Sequence, residues 1–289
     1  MSRIIEKILK PRDVSSAVLR YVVNLWGEFM IIFNSDLDNT LIYSYKRDIP
    51  DEKICVEIYN ERQISFMTRN SYELLKKIVK KVLFVPTTTR TVEQYERIDL
   101  GIGIPQFSLV CNGGVLLNNG KEDKEWYKES LRLISVCFEE LKKAEKILYE
   151  DEYRCFDVRN ISELFIFTKS DKPFMSVQRL KVVLNLSLVD VFENGIKIYV
   201  IPKKLSKGMA LRRFKEKING NTFISAGDSE FDISMIREAD FGIVPNYMMR
   251  EKAGENGIIV EDNFFSDGIL NFVLNLAEKN VERRSDFLL

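Results

Sequence analysis

An α/β fold built on a parallel sheet, with a smaller α+β module set into it, is what this chain predicts. Three observations carry that expectation. Short apolar runs end abruptly in polar clusters. Helical stretches follow these runs in alternation. The rhythm breaks once, between residues 116 and 202, where two helix-strand-strand units replace it.

The elements follow in order. Val14, Val18, Tyr21, Val22, Leu25 and Phe29 share one face of a helix that opens after Pro11 and Asp13. "MIIFNS" is the first buried strand. "ICVEIYN" and "QISFMT" flank "ER" as a hairpin with strands near 54–59 and 63–67. A helix starts at Asn70, spaced from Glu73 as a capping box. "VLFVP" is a second buried strand, "VEQYERIDL" a helix, and "FSLVCNGG" a third strand of the same parallel sheet. The module then contributes a long helix over 129–149, strands at "YRCFDV" and "LFIFTK", a helix at "PFMSVQRLKVVLN", and a hairpin around Asn194-Gly195. Helix "LSKGMALRRFKEKI" and strand "TFISA" resume the alternation, which closes through "FGIVP", "GIIVED" and a final helix. The expected organisation is an N-terminal helical extension over 1–29, a core over 30–115 and 203–289, and the inserted module over 116–202.

Composition removes several function classes. Lys plus Arg and Asp plus Glu are equal at 43 each, so no net field draws the chain to nucleic acid or to an anionic membrane. The apolar runs are too short to span a bilayer, and the N-terminus carries charge throughout; a soluble cytoplasmic protein is expected. The four cysteines form no CxxC pair and none precedes an arginine by six positions. Cys55, Cys111 and Cys155 read as small core residues. There is no histidine, which excludes Ser-His-Asp and Cys-His catalysis and histidine zinc sites. Acid-base work falls to other side chains, and a bound metal would take oxygen ligands, as magnesium does.

Four polar clusters occupy equivalent places. Asp36 and Asp38 follow the first strand, Thr88 to Arg90 the second, Lys207 opens a helix, and Asp228 and Asp232 follow "TFISA". Ligands of an open parallel sheet bind beyond the carboxyl ends of its strands, so these groups are placed to converge. Clustered carboxylates repel, and a divalent cation relieves the repulsion while binding phosphate. Singly, each cluster has a plainer reading. Asp36 and Asp38 read as turn formers, Asp228 as a turn residue after Gly227, Asp232 as an N-cap, and Lys207 as a solvated lysine. Arg90 reads equally as a substrate contact or as the partner of an acid. Asn112-Gly113-Gly114 reads as a hinge, with Asn112 also a substrate candidate.

Taken in order, "DLDNTL", "TTR", Lys207 within "LSKGMAL" and "GDSEFD" resemble the four motifs of the haloacid dehalogenase superfamily of phosphatases. The inserted module and "VCNGGVLL" resemble its Cof-type and sucrose-phosphatase-like branch, whose lid is a C2B cap. The resemblance covers about residues 30–280. It implies a Rossmann-like core under a cap and a magnesium-dependent phosphomonoester hydrolase. Asp36 would be the nucleophile, forming an aspartyl-phosphate, and Asp38 the general acid and base. Thr88 and Lys207 would bind the phosphoryl group. Asp36, Asp228 and the Asp38 main-chain carbonyl would hold magnesium, with Asp232 orienting Lys207 or a metal-bound water. Phe231 departs from the pattern, standing where the branch has Asn.

The implied substrate is a small phosphorylated metabolite, with a sugar phosphate favoured by the cap type, and cap residues Arg154, Arg159, Lys169, Lys172 and Lys197 are candidates to read its leaving group. Two alternatives stand beside the hydrolase: a phosphomutase of the same superfamily, and a non-catalytic metabolite- or partner-binding protein.

Overall fold

The computed structural model describes residues 30–49, 52–218, 222–255 and 257–286, so the helix expected over 14–29 lies outside the described residues. Fifteen strands are described: β1 (Ile31–Ser35), β2 (Tyr43–Ser44), β3 (Ile54–Tyr59), β4 (Arg62–Met67), β5 (Leu83–Pro86), β6 (Phe107–Val110), β7 (Val115–Asn118), β8 (Lys121–Glu122), β9 (Arg159–Ile161), β10 (Phe165–Lys169), β11 (Val189–Asn194), β12 (Lys197–Pro202), β13 (Thr222–Ala226), β14 (Phe241–Val244) and β15 (Gly257–Ile259). The central sheet runs β15-β14-β13-β1-β5, every pair parallel. Ile31 to Ser35 of β1 are buried throughout, as a strand covered by helices on both faces requires.

Helices Arg69–Ile78 and Phe265–Asp286 cover one face, burying Leu75, Ile78, Ile269 and Val273 against Phe33 and Ile224. Helix Lys207–Lys217 covers the other, with Phe214 edge-on to Phe107. Each of these apolar side chains contributes about 1.5–3 kcal/mol through its removal from water.

Several elements differ from expectation for identifiable reasons. The first helix is capped by Thr68, whose hydroxyl accepts from the Ser71 N–H, rather than by Asn70. "FSLV" does not extend the parallel sheet; it touches Thr87 through one isolated bridge and pairs antiparallel with β7, because Gly113-Gly114 turns the chain straight back. The long helix over 129–149 is two helices, Lys124–Ile134 and Phe138–Tyr149, broken at 135–137 and begun earlier by the Asp123 cap. "YRCFDV" forms no strand beyond an isolated Arg154–Ser170 bridge; β9 lies just after it. Cys155 is exposed, whereas Cys111 and Cys137 are buried.

The inserted module carries the antiparallel sheet β11-β12-β10-β9. Alternation gives this sheet two unlike faces. Ile166, Ile198, Val200 and Val191 pack against the helical layer with Leu141, Leu148, Val177 and Leu180. Arg159, Phe167, Lys169, Lys197 and Tyr199 lie on the opposite face, above the central sheet. Residues 116–126, read with the module on sequence, place Leu116 and Trp126 in an apolar cluster with Ile32 and Phe214.

The turn between β6 and β7 is tied to the chain that returns from the module. Asn112 Nδ2 donates to the Leu205 carbonyl at 2.8 Å. Cys111, Asn112 and Gly113 occupy the left-handed region in succession, at φ 52°, 58° and 85°. A β-carbon at Gly113 would stand 2.2 Å from that of Ala210, so the turn lies directly on the helix.

Candidate active site

At the end of β1 the chain turns tightly. The Leu37 carbonyl accepts from the N–H groups of Thr40, Leu41 and Ile42, and Asn39 takes φ 59°. Leu37 is buried in the core, so its neighbours Asp36 and Asp38 both face the cavity between the sheet and the module. The Asp36 N–H is fixed by the Ala226 carbonyl at 2.9 Å, which ties the turn to the end of β13.

Lys207 comes from the opposite side. Ser206 caps its helix by accepting from Met209, and Gly208 lets that helix press onto residue 234: a β-carbon at Gly208 would meet the Ser234 carbonyl oxygen at 2.4 Å. Lys207 Nζ, 1% exposed, lies 2.5 Å from Asp36 Oδ1 and 2.6 Å from Asp232 Oδ1. The other Asp232 oxygen accepts from the Ser229 N–H at 3.0 Å and hydroxyl at 2.7 Å. Asp232 is therefore committed to positioning Lys207, and it is also the third residue of a capping box.

Asp36, Asp228 and Asp232 offer carboxylate oxygens within 4.8 Å of one another. Thr40, fully buried, bridges two of them, donating toward Asp228 Oδ1 at 3.0 Å and Asp36 Oδ2 at 3.4 Å. Three carboxylates against one ammonium leave two negative charges. Burial, opposed by Lys207 and reinforced by the neighbouring acids, holds the Asp36 carboxyl well above its usual range. Burial, then Asp232, pushes Asp228 up to about 6. The two acids hold Lys207 protonated against the cost of its own burial. An all-oxygen donor set with an excess of two negative charges fits a hard divalent cation.

Asp38 does not join the carboxylate trio. Its side chain, 49% exposed, is held by Arg90: Nε to Oδ2 at 2.7 Å and Nη2 to Oδ1 at 2.8 Å. Burial acts to raise its carboxyl, but Arg90, with Lys197 and Lys207 beyond it, brings it below the ordinary value. Arg90 Nη1 also pairs with buried Glu57 at 2.8 Å, and Glu57 further accepts from Arg97 and from the Ser65 hydroxyl. Two acids and two arginines form a balanced network beside the negative trio. Thr88 is buried at the end of β5, its hydroxyl accepting from the Arg90 N–H at 3.1 Å.

Asp36, Asp38, Arg90, Lys207 and Asp228 line one cavity of about 710 Å³. Asn112 faces a different one, of about 640 Å³. Of the cap candidates, Arg159, Lys169 and Lys197 line the active-site cavity. Arg154 instead bonds the Phe156 carbonyl, and Lys172 lies over Tyr153.

Sequence reasoning missed Glu57, Thr40 and Ser229. For Thr40 and Ser229 a signal existed, since each sits beside a motif carboxylate. Glu57 gave none, as one charged residue in an alternating hairpin. Phe231 was read as a lost polar group; its ring stands edge-on to Phe192 at 4.7 Å and to Tyr199 at 5.2 Å, joining the fourth-motif loop to the cap sheet.

Residues 122–246, which include Lys207, Asp228 and Asp232, match the family model of the haloacid dehalogenase-like hydrolases. No curated protein matches the chain in sequence. Among solved structures it resembles a sucrose-phosphatase from Synechocystis sp. PCC6803 in complex with sucrose and phosphate (TM-score 0.57, 13% identity, 85% of this chain and 97% of that one). It also resembles a haloacid dehalogenase-like hydrolase from Bacteroides thetaiotaomicron (0.51, 15%, 86% and 100%). A third is a trehalose-6-phosphate phosphatase from Aspergillus fumigatus (0.51, 11%, 86% and 93%). At these identities the likeness is one of fold.

Proposed function

We propose that this haloacid dehalogenase-like hydrolase is a magnesium-dependent phosphomonoester hydrolase working through a phosphorylated Asp36. The observation that carries the reading is the placement of Lys207 Nζ against Asp36 at 2.5 Å, with Asp228 close enough to share a cation and Asp38 on the same cavity.

Asp36, Asp228 and the Asp38 main-chain carbonyl are the proposed magnesium ligands. Magnesium bound there supplies positive charge against the phosphate oxygens and offsets the two excess negative charges. An Asp36 oxygen attacks phosphorus as the ester oxygen departs, and that oxygen takes the proton of Asp38. Asp38, now ionised, accepts a proton from water, and the resulting hydroxide displaces phosphate from Asp36. Lys207 stabilises charge on the transferring group, and the Thr88 hydroxyl, which accepts from the Arg90 N–H, is the proposed donor to it. Arg90 holds Asp38 in the ionised form that the second half requires. Entry of a phosphate dianion competes for the guanidinium and so favours the protonated Asp38 of the first half.

The substrate is a small phosphorylated metabolite. A sugar phosphate is supported by the solved structures named for sucrose and trehalose phosphatases. Inorganic phosphate release from a metabolite panel tests the reading. It should require magnesium and disappear in Asp36→Asn of native fold; release undiminished in that variant refutes it.

A further inference from the structure

The cap sheet places three cations over the active site. Lys169 of β10 and Lys197 of β12 stand directly opposite each other in antiparallel register. Arg159 of β9 stands opposite Phe167, one pair along on the same face. All three line the active-site cavity.

None of the three is in an ion pair with a described carboxylate. Arg159 and Lys169 instead hold their charges over the ring of Phe156, 4.7 Å and 4.6 Å from its centroid. The remaining cavity cations are already matched: Lys207 with Asp36 and Asp232, Arg90 with Asp38 and Glu57, Arg97 with Glu57. Among the described residues, these three are the cavity cations outside any ion pair.

This arrangement has a cost. Like charges directly opposed on neighbouring strands destabilise a sheet, and with Lys169 half-buried and Lys197 exposed, solvent screens only part of that repulsion. A ligand anion reverses the sign of that interaction. On the phosphatase reading the transferring phosphate binds with Asp36 and Lys207 at the sheet side of the cavity, which leaves the cap cations to meet another group of the same molecule.

Building on the phosphatase reading, we propose that Arg159, Lys169 and Lys197 form a second anion subsite and that the substrate carries another anionic group, a carboxylate or a second phosphate, on its leaving-group side. Phe156 holds Arg159 and Lys169 over its ring, and with Phe167 and Tyr199 it offers the intervening carbon skeleton an apolar wall. A neutral sugar phosphate would leave the three cations facing water.

Binding tests this without depending on turnover. Asp36→Asn protein with magnesium is titrated by calorimetry with glucose 6-phosphate, 3-phosphoglycerate and fructose 1,6-bisphosphate. A charge-assisted contact to the second anion should tighten binding by about 10- to 100-fold over the singly phosphorylated sugar. The carboxylate and bisphosphate arms identify which anion the subsite prefers. The preference should collapse in Lys169→Met/Lys197→Met. Lys197→Glu keeps the proposal testable if that variant folds poorly: opposed to Lys169, it should raise Tm while abolishing the preference. Equal affinity for all three probes, or a preference that survives both variants, overturns the subsite. Absence of phosphate release from wild-type protein overturns the catalytic reading instead.

Discussion

Arg90 grips both oxygens of Asp38, at 2.7 and 2.8 Å, and rests its remaining nitrogen on Glu57, a carboxylate with no exposed side-chain surface. The proposed acid-base group is thus wired to the β3–β4 hairpin, which supplies no member of the carboxylate trio.

Arg90→Gln removes the charge that outweighs burial at Asp38, so the Asp38 carboxyl moves to higher pH. If Asp38 must be protonated to release the alcohol, the alkaline limb of the kcat/KM profile moves the same way. A limb that stays in place separates Arg90 from the proton transfer. The variant also leaves Glu57 with Arg97 and Ser65, and a loss of about 1–3 kcal/mol in denaturant unfolding is expected.

Lys207→Met leaves Asp36 and Asp232 buried without their ammonium. Removing one partner of a buried ion pair costs about 3–5 kcal/mol. The loss should be greatest near neutral pH and shrink under acid conditions, where the carboxylates take up protons. Unfolding curves at the two pH values check this, and an equal loss at both would contradict the charge argument.

The metal-free protein should lose stability as pH rises through about 6. The sign follows from the raised Asp228 value: the folded state holds a proton there that the unfolded chain has released, so stability is fullest below the ordinary carboxylate range and falls as the folded group ionises. Magnesium should raise Tm at neutral pH and act little under acid conditions. Asp228→Asn should flatten the pH dependence and remove the response to magnesium. A Tm that rises steadily with pH in the metal-free protein would contradict the assignment.

Phe231→Asn restores the residue suggested by the motif but opens the aromatic junction. Each ring pair contributes about 0.5–1.5 kcal/mol beyond its area. The variant should therefore unfold more easily and show a raised KM, and its effect should be non-additive with Phe192→Ala. Full additivity would show that the two rings do not couple across the junction.

The order and placement of the four motifs were legible because each follows a buried strand or opens a helix, where the sequence pattern is strongest. Helix and strand types along the core were legible for the same reason. Partnership was not. Thr68 rather than Asn70 caps its helix because Thr68 also donates to Asp267, 199 positions away. "FSLV" has the composition of a buried parallel strand, and only the turn at Gly113-Gly114 sends it into an antiparallel pair. The break at 135–137 falls where the chain passes from the cluster containing Trp126 to the one containing Leu141, a change of packing partner that helical periodicity does not record. Asp38 and Arg90 were both singled out, yet their union depends on Glu57, which nothing local distinguishes.

The stitch from Asn112 to the Leu205 carbonyl has a mechanical consequence. It pins the chain leaving β12, two residues before Lys207, to the β6–β7 turn, so a shift of that turn reaches the buried ammonium shared by Asp36 and Asp232.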